Sequence, residues 1–276
     1  MKINGHIDSH NHLAKVLHTH PDRINVWIQD ALDSGIGFFM QGGIDPQNWQ
    51  HQIQLQERLP GQIGLCFGIH PYFASERSIT ELDPILDQLA QCIGQHSGNS
   101  ELLAIGELGL DFRPDYVKNG TESQIHALEI QIELADWTGL PMVFHIVQAH
   151  LECERIFSLW NPKNKRGLMH SFSGSLEQAE YWMQHGLLIS LGGPVCHEKN
   201  KKARRLATHI PLEFLTLETD SPDQPPPEYA RGENPPKTLW QVAKTIGELR
   251  NLDAEEILDI SNSNFLRVFR KDRKNV

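Results

Sequence analysis

Short apolar stretches alternate with longer amphipathic stretches along most of this chain. The short stretches have the length of buried strands, and the longer ones repeat their apolar residues at helical spacing. Strands that are buried on both faces lack polar alternation, so this pattern is typical of parallel strands covered by helices. We predict eight strands, the first near residues 7–13 and the others at 37–40, 63–67, 102–105, 142–145, 167–170, 187–190 and 214–217.

The amphipathic stretches between these strands predict the covering helices. Helix-terminating residues such as Gly35 and the pair Pro60-Gly61 separate them from the strands. The predicted helices are 25–34, 46–59, 80–95, 122–138, 149–160, 176–185, 199–208, 237–250 and 254–269. An open doubly wound sheet is the rival architecture, but no glycine-rich dinucleotide fingerprint follows the first strand. We therefore expect an α/β fold, a single (β/α)8 TIM barrel.

The length and composition agree with this architecture. A barrel of this type has roughly 250 residues, and the chain has 276, of which 39% are hydrophobic and 22% charged. We expect residues 1–276 to form one domain. The four cysteines are scattered without paired spacing, which is typical of reduced cysteines that pack as small hydrophobic residues.

The charge balance limits the classes of partner. The 25 Lys and Arg residues are outnumbered by 35 Asp and Glu residues, so the formal net charge is −10. A surface of this sign does not hold polyanions non-specifically, and any nucleic-acid contact must be local. Without a basic leader or a long apolar run, we expect a cytoplasmic, non-membrane protein. We also expect it to be a monomer.

The first predicted strand carries two histidines, His10 and His12, in the stretch Ile7-Asp8-Ser9-His10-Asn11-His12-Leu13. Because side chains alternate across a strand, Asp8 and both histidines share one face. Two imidazoles that leave a strand end together can chelate one divalent ion. A pair of unrelated surface histidines is the alternative that this motif leaves open when it is taken alone.

Other polar candidates follow later strands at the same end. They are His70 after the third strand, Glu107 after the fourth, His145 and His170 at the ends of the fifth and sixth, and Asp220 after the eighth. In a parallel barrel these ends meet on the face where catalytic residues converge. Nitrogen and carboxylate ligands without thiolates suit Zn²⁺ or Mn²⁺, and Mg²⁺ is possible if oxygen ligands supply most of the shell.

Six short motifs contain the candidate residues. They are Asp-Ser-His-Asn-His-Leu at 8–13, Gly-Ile-His-Pro-Tyr at 68–72, Ile-Gly-Glu-Leu-Gly-Leu-Asp at 105–111, Pro-Met-Val-Phe-His at 141–145, His-Ser-Phe-Ser-Gly-Ser at 170–175 and Glu-Thr-Asp-Ser-Pro at 218–222. In this order they resemble the motifs of the TatD family of metal-dependent deoxyribonucleases. The resemblance runs from about Ile3 to Phe269, and it implies a TIM barrel of the amidohydrolase-like type with a metal centre on its top face.

The resemblance implies two divalent ions and a role for each candidate. One ion would be held by His10, His12 and Asp220, the other by His145 and His170, and both by a bridging Glu107. His70 would contact a phosphate or orient a neighbouring group. Glu107 and Asp220 are the expected catalytic residues, with Asp220 orienting a water and taking its proton.

The sequence departs from the family pattern at two places. Many relatives continue the fifth-strand histidine with a small residue and then Arg and Asp or another charged pair, whereas Ile146-Val147-Gln148 stands here. The usual Asn-Glu-Pro of the final loop is Asn234-Pro235-Pro236. The first change removes a phosphate-binding cation and the second removes a carboxylate, so both affect substrate choice more than hydrolytic chemistry.

Other residues are candidates for substrate contact. The basic stretch 199–205 after the seventh strand, with Lys199 and Arg204, either meets phosphates or forms a solvated helix face. Asp111 belongs to the Glu107 motif, and Phe172, like Phe112, either stacks on a base or packs in the core. Trp182 is predicted to pack in the core, and the tail that starts at Arg270 is predicted to fray.

These observations predict a metal-dependent phosphodiesterase that acts on DNA, with 3′–5′ exonuclease-like removal of nucleotides from single-stranded ends. A barrel pocket admits a strand terminus more readily than the interior of a duplex. One alternative is that the same metal centre hydrolyses a different bond, as in deacylation of aminoacyl-tRNA or another ester. Another is an accessory protein that works within a multi-protein complex.

Overall fold

Eight parallel strands form one sheet in the order β1 to β8, each paired with the next along the chain. The computed structural model describes residues 3–270, so most of the predicted frayed tail lies outside the described residues. The predicted barrel is confirmed. The strands are β1 (His6–Asn11), β2 (Ile36–Gln41), β3 (Ile63–Phe67), β4 (Leu102–Asp111), β5 (Met142–Val147), β6 (Gly167–Met169), β7 (Leu187–Leu191) and β8 (Leu215–Leu217).

Helices follow the strands in the expected alternation. Two short ones, at 13–19 and 71–75, and the first two turns of the helix that begins at 114 were not predicted. The α-helices are α1 (Leu13–Thr19), α2 (Pro21–Asp33), α3 (Pro46–Arg58), α4 (Pro71–Ser75), α5 (Ile79–Gln95), α6 (Pro114–Thr138), α7 (His150–Trp160), α8 (Leu176–Gln184), α9 (Lys201–His209), α10 (Leu239–Arg250) and α11 (Ala254–Phe269). Three short 3-10 helices occupy Gly193–Cys196, Leu212–Phe214 and Pro236–Thr238.

The barrel closes at its top, where the loop after β8 meets β1. The backbone N–H of His12 donates to the carbonyl oxygen of Ser221 at 2.7 Å, and the N–H of Asp220 donates to the carbonyl oxygen of His10 at 3.0 Å. These two bonds bring candidate ligands from opposite ends of the sequence to one seam of the sheet.

Two hydrophobic cores hold the barrel together. The larger one lies between strands and helices and contains Trp182, which is fully buried as predicted. The smaller one fills the barrel interior with side chains such as Phe38, Met40 and Leu188. Phe265 and Phe269 of α11 belong to this inner core. Because α11 closes the bottom, the interior is a packed core rather than a channel.

Strand β4 is longer than predicted, since it runs to Asp111 instead of ending near Ile105. All ten of its residues are buried, and it pairs with β5 along this extension with a register shift between Gly106 and Leu108. Glu107 therefore lies inside the strand rather than after it. Among residues 3–270, no helix combines the length and apolar character that a membrane span requires.

Candidate metal centre

Glu107 lies at the centre of a cluster of histidines on the top face, and only 1% of its side chain is exposed. Its Oε1 atom is 3.6 Å from Nε2 of His10 and 3.4 Å from Nε2 of His12. Its Oε2 atom is 3.4 Å from Nδ1 of His145 and 3.6 Å from Nε2 of His170. The two oxygens of one carboxylate thus face two different pairs of imidazoles.

Asp220 completes the first group. Its Oδ1 atom is 3.8 Å from Nε2 of His10 and 3.4 Å from Nε2 of His12. Side-chain atoms of these three residues lie within 4.8 Å of one another, and so do those of His10, Glu107 and His170. The structure therefore brings together all six residues that the sequence suggested as ligands.

Hydrogen bonds behind the cluster fix which imidazole nitrogen faces Glu107. Nε2 of His145 lies 3.4 Å from Oδ2 of Asp111, and Nδ1 of His170 lies 3.0 Å from Oε1 of Glu218. Because an ionised carboxylate only accepts, each histidine donates an N–H backwards, and its other nitrogen faces the cluster, where it offers a lone pair when the ring is neutral. Histidines that bind metals in proteins are oriented by partners of this kind.

His70 has the opposite polarity. Its Nδ1 atom accepts a hydrogen bond from the backbone N–H of Tyr72 at 3.1 Å. A neutral imidazole that accepts at Nδ1 carries its hydrogen on Nε2, and this atom lies 3.7 Å from Oε2 of Glu107. His70 therefore offers a donor to the site, which suits contact with an anion better than ligation of a metal.

The cluster combines two ionised carboxylates with one neutral imidazole, while the facing carboxylates raise the pKa of His12, His145 and His170 against the effect of burial, that of His170 to about 10. Burial, reinforced by nearby His170, holds the pKa of His10 well below its usual value, so its imidazole is neutral. Burial alone would raise the pKa of both carboxyls. The imidazoles of His10 and His12 outweigh it for Glu107, whose pKa falls well below the usual range. His170 and His12 lower the pKa of Asp220 to about 2.

Several polar atoms of the cluster are buried without a hydrogen-bond partner. They are both ring nitrogens of His10, Nδ1 of His12, Oε1 of Glu107 and Oδ1 of Asp220. An unsatisfied buried group costs about 1–3 kcal/mol, and more if it is charged. A divalent cation removes this cost for groups that point at it, and nitrogen and carboxylate donors without thiolates suit such an ion. The residues present therefore fit a divalent metal.

Asp8 holds the turn that carries Asp220 instead of joining the ligand groups. One of its oxygens accepts from the backbone N–H of Thr219 at 2.8 Å, and the other accepts from the Thr219 hydroxyl at 2.6 Å. Asn234 donates to the carbonyl oxygens of Thr219 and Asp223. Asp8 thus positions Asp220 through Thr219, while His10 and His12 on the same face are candidate ligands.

A cavity of about 790 Å³, the metal pocket, opens above the cluster. Three cations that the sequence did not single out line it: Lys15, Arg113 and Arg231. Arg113 donates from Nε to both oxygens of Asp111 at 2.9 Å, and its guanidinium lies 5.0 Å from the centre of the Tyr116 ring. The metal pocket therefore has three cations at its rim, of which Lys15 is paired with Asp223 and Arg113 with Asp111.

Of the five predicted substrate contacts, only His70 lines the metal pocket. Asp111 is fully buried and holds a ligand histidine and an arginine, so it is a positioning residue and not an open contact. Phe172 is 5% exposed and packs in the core, where its ring centre is 5.1 Å from that of His150.

The two basic candidates also lie away from the metal pocket. Lys199 is exposed and is absent from the pocket lining, and Arg204 donates from Nη1 to the carbonyl oxygen of Val195 at 3.3 Å. Two neighbours, Asn200 and His197, line the pocket instead. The sequence places Arg113 two residues after Asp111, and this spacing could have suggested an ion pair. That the pair lies at the pocket follows only from the extension of β4 to Asp111.

The barrel and its histidine-carboxylate centre define a metal-dependent hydrolase. The sequence model of the family described as TatD related DNase matches residues 7–270, and the chain belongs to this family.

Named relatives agree with this assignment. The "3'-5' ssDNA/RNA exonuclease TatD" of Pantoea vagans (strain C9-1) is 31% identical over 248 residues, which cover 88% of this chain and 92% of the relative. The "Uncharacterized metal-dependent hydrolase YjjV" of Escherichia coli (strain K12) is 29% identical over 242 residues, with coverage of 88% and 90%. The crystal structure of YjjV has a TM-score of 0.86 at 28% identity and covers 97% of this chain and 98% of its own.

Proposed function

We propose that this protein hydrolyses phosphodiester bonds in single-stranded nucleic acid and removes nucleotides from the 3′ end. The observation that carries the proposal is the Glu107 carboxylate, whose two oxygens face separate imidazole pairs beneath a cation-rimmed pocket. The name of the Pantoea vagans relative supports the polarity and the single-stranded substrate. The size of the metal pocket suits a strand end.

We assign the ligands to two divalent ions, of Zn²⁺, Mn²⁺ or Mg²⁺. His10, His12 and Asp220 would hold one, His145 and His170 would hold the other, and Glu107 would serve both. Bound ions of this kind supply Lewis acidity, which activates water and neutralises charge on a phosphoryl group. Asp111 and Glu218 keep the ligand nitrogens of His145 and His170 aimed at the centre.

The chain's own residues account for the other steps. Asp220 has an unpartnered Oδ1 that accepts the proton of the attacking water, while its Oδ2 is held by the Gln224 amide at 2.6 Å. His70 donates from Nε2 to a non-bridging phosphate oxygen. Arg113, fixed by Asp111, supplies positive charge for the phosphate.

Carboxylate-to-amide substitutions test this proposal. We expect Asp220→Asn to lower the rate of cleavage of a 3′-labelled single-stranded oligonucleotide about 10²- to 10⁴-fold, since the proton acceptor is lost. Glu107→Gln should lose both activity and bound metal, measured by elemental analysis. A chelator should abolish activity, and added Mn²⁺ or Zn²⁺ should restore it.

Glu256→Gln is the matched control, because Glu256 is an exposed carboxylate on α11 at the other end of the barrel. It should retain full activity and metal. Cleavage that survives in folded Asp220→Asn and Glu107→Gln proteins would contradict the proposal. Hydrolysis of aminoacyl-tRNA without cleavage of any oligonucleotide would show that the same centre hydrolyses carboxylic esters instead of phosphodiesters.

A further inference from the structure

A second cavity, the side cavity, lies next to the metal pocket on the same face. Its volume is about 810 Å³, and its lining includes Phe112, Gln148, His150 and Lys202. Val147 lines both cavities, so the two spaces meet at this residue. Val147 and Gln148 belong to the stretch in which this sequence departs from the family pattern.

The N-terminus of α7 opens into the side cavity. This helix has 11 residues, and its N-cap residue is Ala149, whose side chain makes no capping hydrogen bond. Its first backbone N–H groups lack partners within the helix and carry the positive end of the helix dipole. Such a helix end favours an anion.

His150 gives independent support for a ligand. It is 8% exposed and lines the side cavity, and neither of its ring nitrogens has a hydrogen-bond partner. Burial, together with the charge of Lys202, lowers its pKa to about 4, so the ring is neutral near pH 7 and carries one N–H donor. A buried donor without an acceptor is costly.

The charges around this imidazole are unbalanced. Lys202 has no carboxylate partner among the residues that the structure describes. Glu152 also lines the side cavity, but Arg155 binds it through two hydrogen bonds, at 3.0 and 2.6 Å. A lysine, an uncapped helix end and an unpaired imidazole donor therefore lie around one space, and the carboxylate that lines it, on Glu152 in the first turn of α7, is already paired with Arg155.

We propose that the side cavity binds the nucleotide adjacent to the scissile phosphate. Its phosphate lies against Lys202 and the N-terminus of α7, and its base packs on the Phe112 ring. The partly buried Phe112 ring at the cavity wall has the flat apolar face on which any base can stack. This assignment rests on the proposed function, because it places the strand that crosses the metal centre.

Binding of a hydrolysis-resistant strand tests the assignment. Metal-loaded protein is titrated into a fluorescein-labelled, eight-residue phosphorothioate oligothymidylate, and anisotropy gives Kd. We expect Lys202→Met to raise Kd about tenfold, the loss of one charged phosphate contact. The slope of log Kd against log salt should fall by about 0.7. Phe112→Leu should also raise Kd, but without a change in the salt slope.

Lys201→Met is the matched control, since Lys201 is the preceding residue of α9, is exposed and lines neither cavity. It should change Kd less than twofold. All variants should keep the metal content of the wild type, measured by elemental analysis, because none of the changed residues belongs to the metal cluster. Equal Kd values for Lys202→Met and Lys201→Met, or no binding by the wild type, would overturn the assignment.

The same measurements separate this inference from the proposed function. If the wild type binds the phosphorothioate strand through Lys202 but cleaves no ordinary oligonucleotide, the proposed activity fails and the side cavity remains a nucleotide site. If the wild type cleaves oligonucleotides and Lys202→Met does so with an unchanged KM and Kd, the side cavity assignment fails alone.

Discussion

Single side chains of this centre differ in the hydrogen bonds behind them more than in their residue type. His145, His170 and His70 are all imidazoles on the top face, yet the first two donate to carboxylates and the third accepts from a backbone N–H. As neutral rings the first two would present lone pairs to the cluster, whereas the third presents a donor. One residue type can thus offer either an acceptor or a donor to the same pocket.

His150 should make stability depend on pH. Its pKa in the folded protein is about 4, below the ordinary value of 6.5, because it is buried and lies near Lys202. Between pH 4 and pH 6.5 the unfolded chain binds more protons at this residue than the folded protein does. The contribution of His150 to the free energy of unfolding is therefore fully present above pH 6.5 and is lost as the pH falls towards 4. We expect a loss of up to about 3 kcal/mol from this residue.

The comparison with His150→Phe isolates this effect. Urea unfolding of both proteins at pH 7 and pH 4.5 should show a smaller acid-induced loss of unfolding free energy in the variant, which keeps a ring of similar size but has no titrating group. Parallel losses in the two proteins would show that His150 does not contribute.

At the scale of elements, the end of β2 and the middle of β4 approach each other closely at two glycines. A Cβ atom on Gly43 would lie 1.9 Å from the carbonyl oxygen of Gly106, and one on Gly42 would lie 2.5 Å from Oε1 of Glu107. Glu107 itself donates its backbone N–H to the carbonyl oxygen of Gly43 at 2.8 Å. The strand end therefore forms one wall of the metal centre.

Gly42→Ala should disrupt the centre. The added methyl group would also lie 2.5 Å from Cε1 of His12 and 2.7 Å from Cε1 of His10, so the ligands must move. We expect loss of metal, measured by elemental analysis, and a fall in activity of at least about 100-fold, since even outer partners of metal ligands are worth 10- to 100-fold.

Gly94→Ala serves as its control, because Gly94 lies in α5 and a Cβ atom there would contact nothing within 4 Å. It should retain metal and activity and gain about 0.5–1 kcal/mol of stability from the better helix former. An active, metal-loaded Gly42→Ala protein would show that the ligands tolerate the displacement.

The order of strands and helices could be predicted from the sequence, because buried strands and amphipathic helices have distinct apolar spacings. Some boundaries could not. The stretch Gly106-Glu107-Leu108-Gly109 interrupts an apolar run, yet β4 continues through it because β5 supplies a hydrogen-bonded neighbour. Helices α1 and α4 have seven and five residues, too few to display a helical period.

That the six candidate ligands lie close together could be predicted, because each belongs to a barrel strand or to the residues just after one. The pocket rim could not, since Lys15, Arg113 and Arg231 lie on α1, before α6 and in the loop after β8. Their nearness depends on barrel closure. Asp111 and Phe172 belong to the recognised motifs, but only their contacts show that they hold neighbouring side chains.

At the scale of the whole molecule, the candidate metal centre lies at the top of the barrel and the inner hydrophobic core lies below it. The inner core is closed at the bottom by Phe265, whose ring centre is 6.1 Å from that of Phe38 and 4.6 Å from that of Phe269. Ligands and cations meet at the top. Stability and activity should therefore respond separately to substitutions at the two ends.

Phe265→Ala should lower the free energy of unfolding by about 3–5 kcal/mol, the usual cost of removing a buried aromatic ring. Denaturant unfolding measures this loss, and the metal content and kcat well below the melting temperature should stay at wild-type values. Leu159→Ala, at a position that is 71% exposed, should change neither quantity. A parallel loss of metal in Phe265→Ala would show that the two ends are coupled.

The seam between β1 and the loop after β8 sets an order of events during synthesis. His10 and His12 leave the ribosome early, but Asp220 follows about 200 residues later, and the backbone bonds that bring them together need both. A growing chain therefore cannot bring His10, His12 and Asp220 together until β8 has been translated. Metal binding is then a late step of folding, which requires that all eight strands have been synthesised.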